Sequence, residues 1–337
     1  MSLAEANLFR VCPPAGVILF TRNIGEPAEL ALLMGQLRAV LPGDAAIMVD
    51  QEGGRVARLR PPHWLAHPPA AALGRLFDRS PAKGLRAAWL TGALIGVDCR
   101  MAGFTVVAAP VLDLSVPSAH DVIGDRALSA EPAIIARLGR AIAAGLLAAG
   151  VQPVGKHAPG HGRARADSHL ALPHVDANDL DADILPFALN ADLPWMMTAH
   201  IVYAGLGPLL PATLSPTVIG RIIRGRMGFK GVLVTDDLAM KALTGTPVDL
   251  ALQALAAGCD IALYCSGAFE PAEDLLTHCP PVSAETQRRL AHGRAAASHG
   301  SALRPAAMIT ERAGLLACPL GCPLGCPLGC PLGCPLA

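Results

Sequence analysis

Seven continuous apolar runs constrain this chain more than any other feature. Each is followed by a polar or glycine-rich turn and then, in most cases, a helical pattern. They are Gly16-Val-Ile-Leu-Phe20, Ala45-Ala-Ile-Met-Val-Asp50, Phe104-Thr-Val-Val-Ala-Ala109, Val151-Gln-Pro-Val154, Trp195-Met-Met-Thr-Ala-His200, Val232-Leu-Val-Thr-Asp236 and Asp260-Ile-Ala-Leu-Tyr-Cys265. Runs without alternation suit parallel strands covered on both faces. Helical periodicity lies between them, for example at Pro27 to Val40, Ile134 to Ala149 and Asp249 to Ala257. So many strand–helix repeats predict an α/β fold, a TIM-type (β/α)8 barrel in preference to an open doubly wound sheet. Asp50, Lys156, His157, His200 and Asp236 all fall at the C-terminal ends of their runs, where a barrel carries its chemistry. Seven runs are one short of eight. Ahead of Gly16 the chain reads as a helix and its connection, so the first strand is expected to be missing, with the true start upstream. A seven-strand barrel would expose two sheet edges.

At 337 residues the chain is predicted to hold one barrel domain over 1–300 and a disordered tail over 301–337. From Cys318 the tail repeats Cys-Pro-Leu-Gly, in which a proline every fourth residue precludes helix. It reads as low complexity, not as a metal site. The remaining cysteines, at 12, 99, 259, 265 and 279, are single and suit reduced core residues in a reducing compartment. With 27 basic and 27 acidic residues, nothing favours nucleic acid or an anionic membrane as a partner. The longest uncharged run, Leu193 to Gly220, contains Pro194, Pro208, Pro211 and Pro216 and reads as a buried strand and loop, not a membrane span. The N-terminus lacks the pattern of a signal peptide, so the expected location is the cytoplasm. The chain is expected to be a monomer acting on a small molecule, without metal or cofactor.

Reactive side chains concentrate between Lys156 and His169, a stretch reading Lys-His-Ala-Pro-Gly-His-Gly-Arg-Ala-Arg-Ala-Asp-Ser-His. Such density where an apolar run meets a Gly/Pro-rich loop predicts a functional loop on a rigid scaffold. Three further segments stand out: Asp50-Gln-Glu-Gly-Gly-Arg55, Ile123-Gly-Asp-Arg126 and Thr235-Asp-Asp-Leu238.

With Gly16-Val-Ile-Leu-Phe-Thr-Arg-Asn23, Ala109-Pro-Val-Leu-Asp113, Lys156-His-Ala-Pro-Gly-His-Gly162, Asp167-Ser-His169 and Gly258-Cys-Asp260, these segments form an ordered series over roughly residues 5 to 295. The series resembles bacterial β-N-acetylglucosaminidases of glycoside hydrolase family 3, of the cytoplasmic peptidoglycan-recycling type. The resemblance implies a retaining mechanism on N-acetylglucosaminyl-1,6-anhydromuramyl peptides. Asp236 matches the nucleophile, His169 the general acid/base and Asp167 its orienting partner. Asp50, Arg58, Arg126, Lys156 and His157 match residues that hold the terminal sugar. A histidine with an ordinary pKa of ~6.5 can protonate the leaving oxygen and then take a proton from water. Because the dyad rides a Gly/Pro-flanked loop, the loop is expected to move on substrate binding. Ala158 departs from the family's usual phenylalanine.

Plainer readings stand beside these. Asp50 alone could cap a helix, Asp237 reads as a cap or an acceptor for its neighbours, and His200 could be a satisfied core histidine. Arg22 and Arg55 could pair with acids, and Glu52 has no readable direction. Three rival functions also remain at this level. One is phosphorolysis by the same family, because a neutral histidine would not repel phosphate. The others are a metal-dependent hydrolase using His157, His161, His200 and Asp236, and an inactive relic.

Overall fold

A computed structural model of the protein describes residues 1–116, 119–164, 166–168, 170–176, 180–206, 209–298 and 300–317. The chain runs α1 (Leu3–Val11), β1 (Gly16–Leu19), α2 (Pro27–Val40), β2 (Ala46–Val49), β3 (Gln51–Gly53), β4 (Val56–Ala57), α3 (Ala70–Arg79), α4 (Pro81–Met101), β5 (Val106–Val107) and α5 (Pro132–Ala148). Then come β6 (Gln152–Ala158), β7 (His174–Asp176), α6 (Asp181–Ala188), β8 (Trp195–Thr198), β9 (Val202–Ala204) and β10 (Val232–Val234). Four helices close the chain: α7 (Pro247–Ala257), α8 (Phe269–His278), α9 (Ala284–Ala297) and α10 (Pro305–Ala317). Helix starts follow local chemistry. Ser2 and Glu5 form a capping box on α1, and α2, α4, α5 and α7 begin with a proline whose missing N–H costs nothing there.

Six strands make one parallel sheet in the order β1-β2-β5-β6-β8-β10. Successive residues of a strand enter different cores. Ile47 and Val49 pack in the large cluster that includes the helices, whereas Met48 joins Val106, Val154, Trp195, Met197, Val232 and Val234 in a second cluster. Leu290 of α9 closes that second cluster. Burial on both faces is why these strands are apolar throughout.

The seventh apolar run follows β10 without becoming a named strand. Ile261 bridges Val234, and Thr235 N donates to the Ile261 carbonyl at 3.0 Å. Leu263 N donates to the Thr235 hydroxyl at 2.8 Å, so a side chain replaces a ladder carbonyl there. Among the described residues β1 pairs on one side only, with β2. The sheet these residues form is therefore curled, with an open side between β1 and residues 259–265. A cleft of about 2010 Å³ occupies the open side, lined by β1 and residues 259–265. Arg22 spans it at one rim, donating to the Cys265 carbonyl at 2.6 Å. It thus meets a backbone oxygen and not the acid expected for it.

The domain boundary expected at residue 300 is corrected by α10. Helix formers and a Met308–Leu315 apolar stripe let residues 305–317 fold back onto α4, with Met308 packing beside Leu90 and Leu94. Arg312 is buried there. The Cys-Pro-Leu-Gly repeats at 318–337 lie outside the described residues. No helix among the described residues is long and apolar enough to cross a membrane.

Candidate active site

Asp50, directly after β2, and Lys156, on β6, meet at 2.8 Å. Arg58, just beyond β4, donates to the other Asp50 oxygen at 3.3 Å. The sequence-predicted sugar binders Asp50, Arg58 and Lys156 thus share one cluster. Arg58 Nε is buried without a hydrogen-bond partner among the described residues. Arg126 closes a short 3₁₀ turn (Gly124–Arg126) and joins the same cluster through Glu52. Its Nε and Nη2 reach the two Glu52 oxygens at 2.8 and 2.9 Å, and Lys156 Nζ lies 2.6 Å from Glu52 Oε1. Burial alone would raise the Glu52 pKa, but Arg126 and Lys156 hold it well below the carboxylate range. For Lys156 burial works downward, and Asp50 and Glu52 overcome it and push the pKa up. Glu52 is a site residue that sequence reasoning left undecided.

A second buried carboxylate is Asp113, which ends the Ala109-Pro-Val-Leu-Asp113 segment. It lies beyond β5 and is inaccessible to solvent. Asp113 accepts from the backbone N–H groups of His157 and His161, at 3.2 and 2.7 Å, and lies 2.7 Å from His157 Nδ1. With Nδ1–H committed to the carboxylate, His157 Nε2 faces Arg126 Nη2 at 3.5 Å. The Asp113 pKa is lowered, because His157 and His161 overcome the effect of burial. His161 packs edge-on to His157 with ring centroids 5.6 Å apart, and its Nε2 lies 3.2 Å from Ser168 Oγ. Burial, with the charge of His157, pushes the His161 pKa down to about 4. It acts as a neutral support for the loop.

Asp236 follows β10 and is half-buried. Burial would raise its pKa, yet His157, His200, the Asp237 N–H at 2.8 Å and Lys156 together bring it below the ordinary value. The carboxylate therefore stays ionised at neutral pH, as a nucleophile requires. Asp237 turns away, accepting from the N–H groups of Ala239 and Cys265, each at 2.9 Å. His200 is the satisfied core histidine. Its Nε2–H donates to the Asp237 carbonyl at 2.9 Å and its Nδ1 meets the Thr213 hydroxyl at 2.8 Å. Arg55 pairs with Asp125 at 2.9 Å, the plain role expected for it.

The root of the loop after β6 is anchored from several sides. Tyr203 donates to the Gly160 carbonyl at 2.6 Å, and Arg163 pairs with Asp183. Gly162 passes so close to Leu114 that a Cβ there would stand 2.3 Å from the Leu114 carbonyl oxygen. Asp167 is half-buried and opens a tight turn, its carbonyl accepting from Leu170 N and Ala171 N at 2.9 and 3.0 Å. Ala242 N donates to the Ser168 carbonyl at 3.2 Å, which ties this turn to the segment after Asp236. His169 lies outside the described residues. No group of three His, Cys, Asp or Glu side chains among the described residues is arranged to hold a metal ion.

Residues 5–285 match the glycosyl hydrolase family 3 N-terminal domain. The chain belongs to glycosyl hydrolase family 3. It is 41% identical over 289 residues to the β-hexosaminidase of Thioalkalivibrio sulfidiphilus, covering 83% of this chain and 82% of that one. The β-hexosaminidase of Nitrosospira multiformis is 40% identical over 270 residues, 77% of this chain and 76% of the relative. Native NagZ from Neisseria gonorrhoeae superposes with a TM-score of 0.82 at 29% identity, over 95% of each chain. In family 3 terms this chain is an α/β glycoside hydrolase domain with a curled parallel sheet.

Proposed function

We propose that this family 3 enzyme is a retaining exo-β-N-acetylglucosaminidase that releases terminal β-linked N-acetylglucosamine. The observation that carries the reading is the half-buried Asp236 just after β10, its carboxylate held by the Asp237 N–H at 2.8 Å and at the same C-terminal rim of the sheet as the Asp50–Lys156 pair. Two comparisons support it. The relatives at about 40% identity are β-hexosaminidases, and NagZ from Neisseria gonorrhoeae has been solved with N-trifluoroacetyl-D-glucosamine.

In this scheme Asp236 attacks the anomeric carbon while His169, oriented by Asp167, protonates the leaving oxygen. The resulting glycosyl ester is hydrolysed by a water that gives its proton to His169. Asp50, Arg58, Arg126, Lys156 and His157 take the sugar's hydroxyl and acetamido groups, with Asp50 accepting and the cations donating. The scheme needs no metal or cofactor. The natural substrate in this reading is an N-acetylglucosaminyl-1,6-anhydromuramyl peptide from cell-wall recycling, handled by a cytoplasmic monomer, and the curled sheet belongs to a TIM-type barrel.

A fluorinated N-acetylglucosaminide that traps the glycosyl-enzyme tests it, with peptide mass spectrometry of the inactivated protein. The label is expected on Asp236. An inactivated enzyme with Asp236 unlabelled would overturn the covalent route, and accumulation of a sugar 1-phosphate in phosphate buffer would reassign the acceptor.

A further inference from the structure

One chain of buried polar side chains is left unused by this chemistry. It joins the last helix to the hairpin of the sugar-binding cluster. Arg312 on α10 is 6% exposed, and its Nη1 lies 2.8 Å from His67 Nδ1. Its Nη2 donates to the Ala66 carbonyl at 3.2 Å. On the other side of the ring, His67 Nε2 lies 3.2 Å from Asp98 Oδ2 on α4. A guanidinium can only donate, so Nδ1 must accept and the ring proton sits on Nε2, directed at Asp98. Both nitrogens are then occupied, and protonating His67 would set N–H against N–H and expel Arg312. Burial foremost, with Arg312 opposing Asp98, lowers the His67 pKa in keeping with that tautomer. Asp98 and Arg312 are the charged groups facing the ring from the two helices packed against it.

His67 belongs to a loop pressed against the β3–β4 hairpin. Gly54 N donates to the His67 carbonyl at 3.0 Å. A Cβ on Gly53 would stand 2.4 Å from the Pro68 carbonyl oxygen, and one on Gly54 2.8 Å from Pro69 Cβ. The residue immediately before this contact is Glu52, whose carboxylate joins Arg126 to Lys156.

We propose that Arg312 is a positioning residue for the sugar-binding cluster, acting through His67 to hold residues 65–69 against Gly53 and Gly54 and so to aim Glu52. The inference rests on the glycosidase reading for its kinetic consequence but not for its structural one.

The full chain and its Arg312→Met and Arg312→Lys variants test it, each assayed well below its own melting temperature. Without substrate, hydrogen exchange of hairpin amides 51–57 is expected to quicken in Arg312→Met, with the core strand amides of β8 unchanged. With a chromogenic N-acetylglucosaminide, KM is expected to rise about five- to tenfold while kcat stays within about twofold, a coupling of ordinary size between packed elements. Lysine keeps the charge but offers one nitrogen where the guanidinium reaches His67 Nδ1 and the Ala66 carbonyl with two, so Arg312→Lys should fall between. A folded Arg312→Met with wild-type hairpin exchange overturns the proposal, as does one with wild-type KM. Failure of both variants to fold would assign α10 to stability alone and overturn it as well. A wild-type enzyme inert on the glycoside would instead overturn the functional reading and leave the exchange result to decide this one.

Discussion

Replacing Glu52 by glutamine removes a charge shared by two buried cations, Arg126 and Lys156. The side chains of Glu52, Arg126 and Lys156 are 6%, 11% and 2% exposed, so water cannot take over the neutralisation. Lys156 keeps Asp50 at 2.8 Å, whereas Arg126 keeps at most one bond, to the amide oxygen, and meets an NH2 donor where the second carboxylate oxygen stood. Breaking a buried ion pair from one side costs roughly 3–5 kcal/mol. For a chain of this size that corresponds to a melting temperature lower by about 4–7 °C. The pH dependence has a definite sign. The folded-state pKa of Glu52 lies below its ordinary 4.5, so its contribution is present above about pH 4.5 and lost as the pH falls below it. Calorimetric melts of the two proteins should therefore be far apart at pH 7 and converge on acidification, by about 1.4 kcal/mol per pH unit. A Glu52→Gln protein melting within about 2 °C of wild type at pH 7 would refute the reasoning, as would a gap that widens in acid.

Asp113→Ala leaves the His157 and His161 N–H groups and His157 Nδ1 buried without their acceptor, at about 1–3 kcal/mol for each unsatisfied donor. Denaturant unfolding should show that loss, and kcat/KM should fall about 10- to 100-fold as His157 loses its orienting carboxylate. Gly162→Ala must push the loop off Leu114, and its kcat/KM should drop while Gly220→Ala, where a Cβ meets nothing within 4 Å, melts at or slightly above wild type. Equal behaviour of the two alanine variants would mean that the loop root tolerates displacement.

Much of the site was legible because it is written in short segments. Asp50, Lys156, His157 and Asp236 each end or follow an apolar run, and a run buried on both faces is a local signal. Arg58 and Arg126 were placed by resemblance, and both do reach the cluster, Arg58 through Asp50 and Arg126 through Glu52. Glu52 and Asp113 were not legible as site residues. Each is a buried acid whose partners arrive from elsewhere: Arg126 is 74 residues from Glu52, and His157 is 44 from Asp113. A lone acid in a sequence carries no mark of whether a cation will be brought to it.

The sequence by itself determined the parallel α/β class, the helix from Pro27 to Val40 with its start, and the rim on which the reactive groups stand. These follow from periodicity and capping, which act within a few residues. Tertiary structure alone decided that Arg22 bridges to Cys265 across 243 residues, and that residues 305–317 return to bury Arg312 against His67. Those outcomes depend on which strands and helices become neighbours. Burying a charge is tolerable only where an opposite charge or a free hydrogen-bonding group already waits, and the chain's order does not state that meeting.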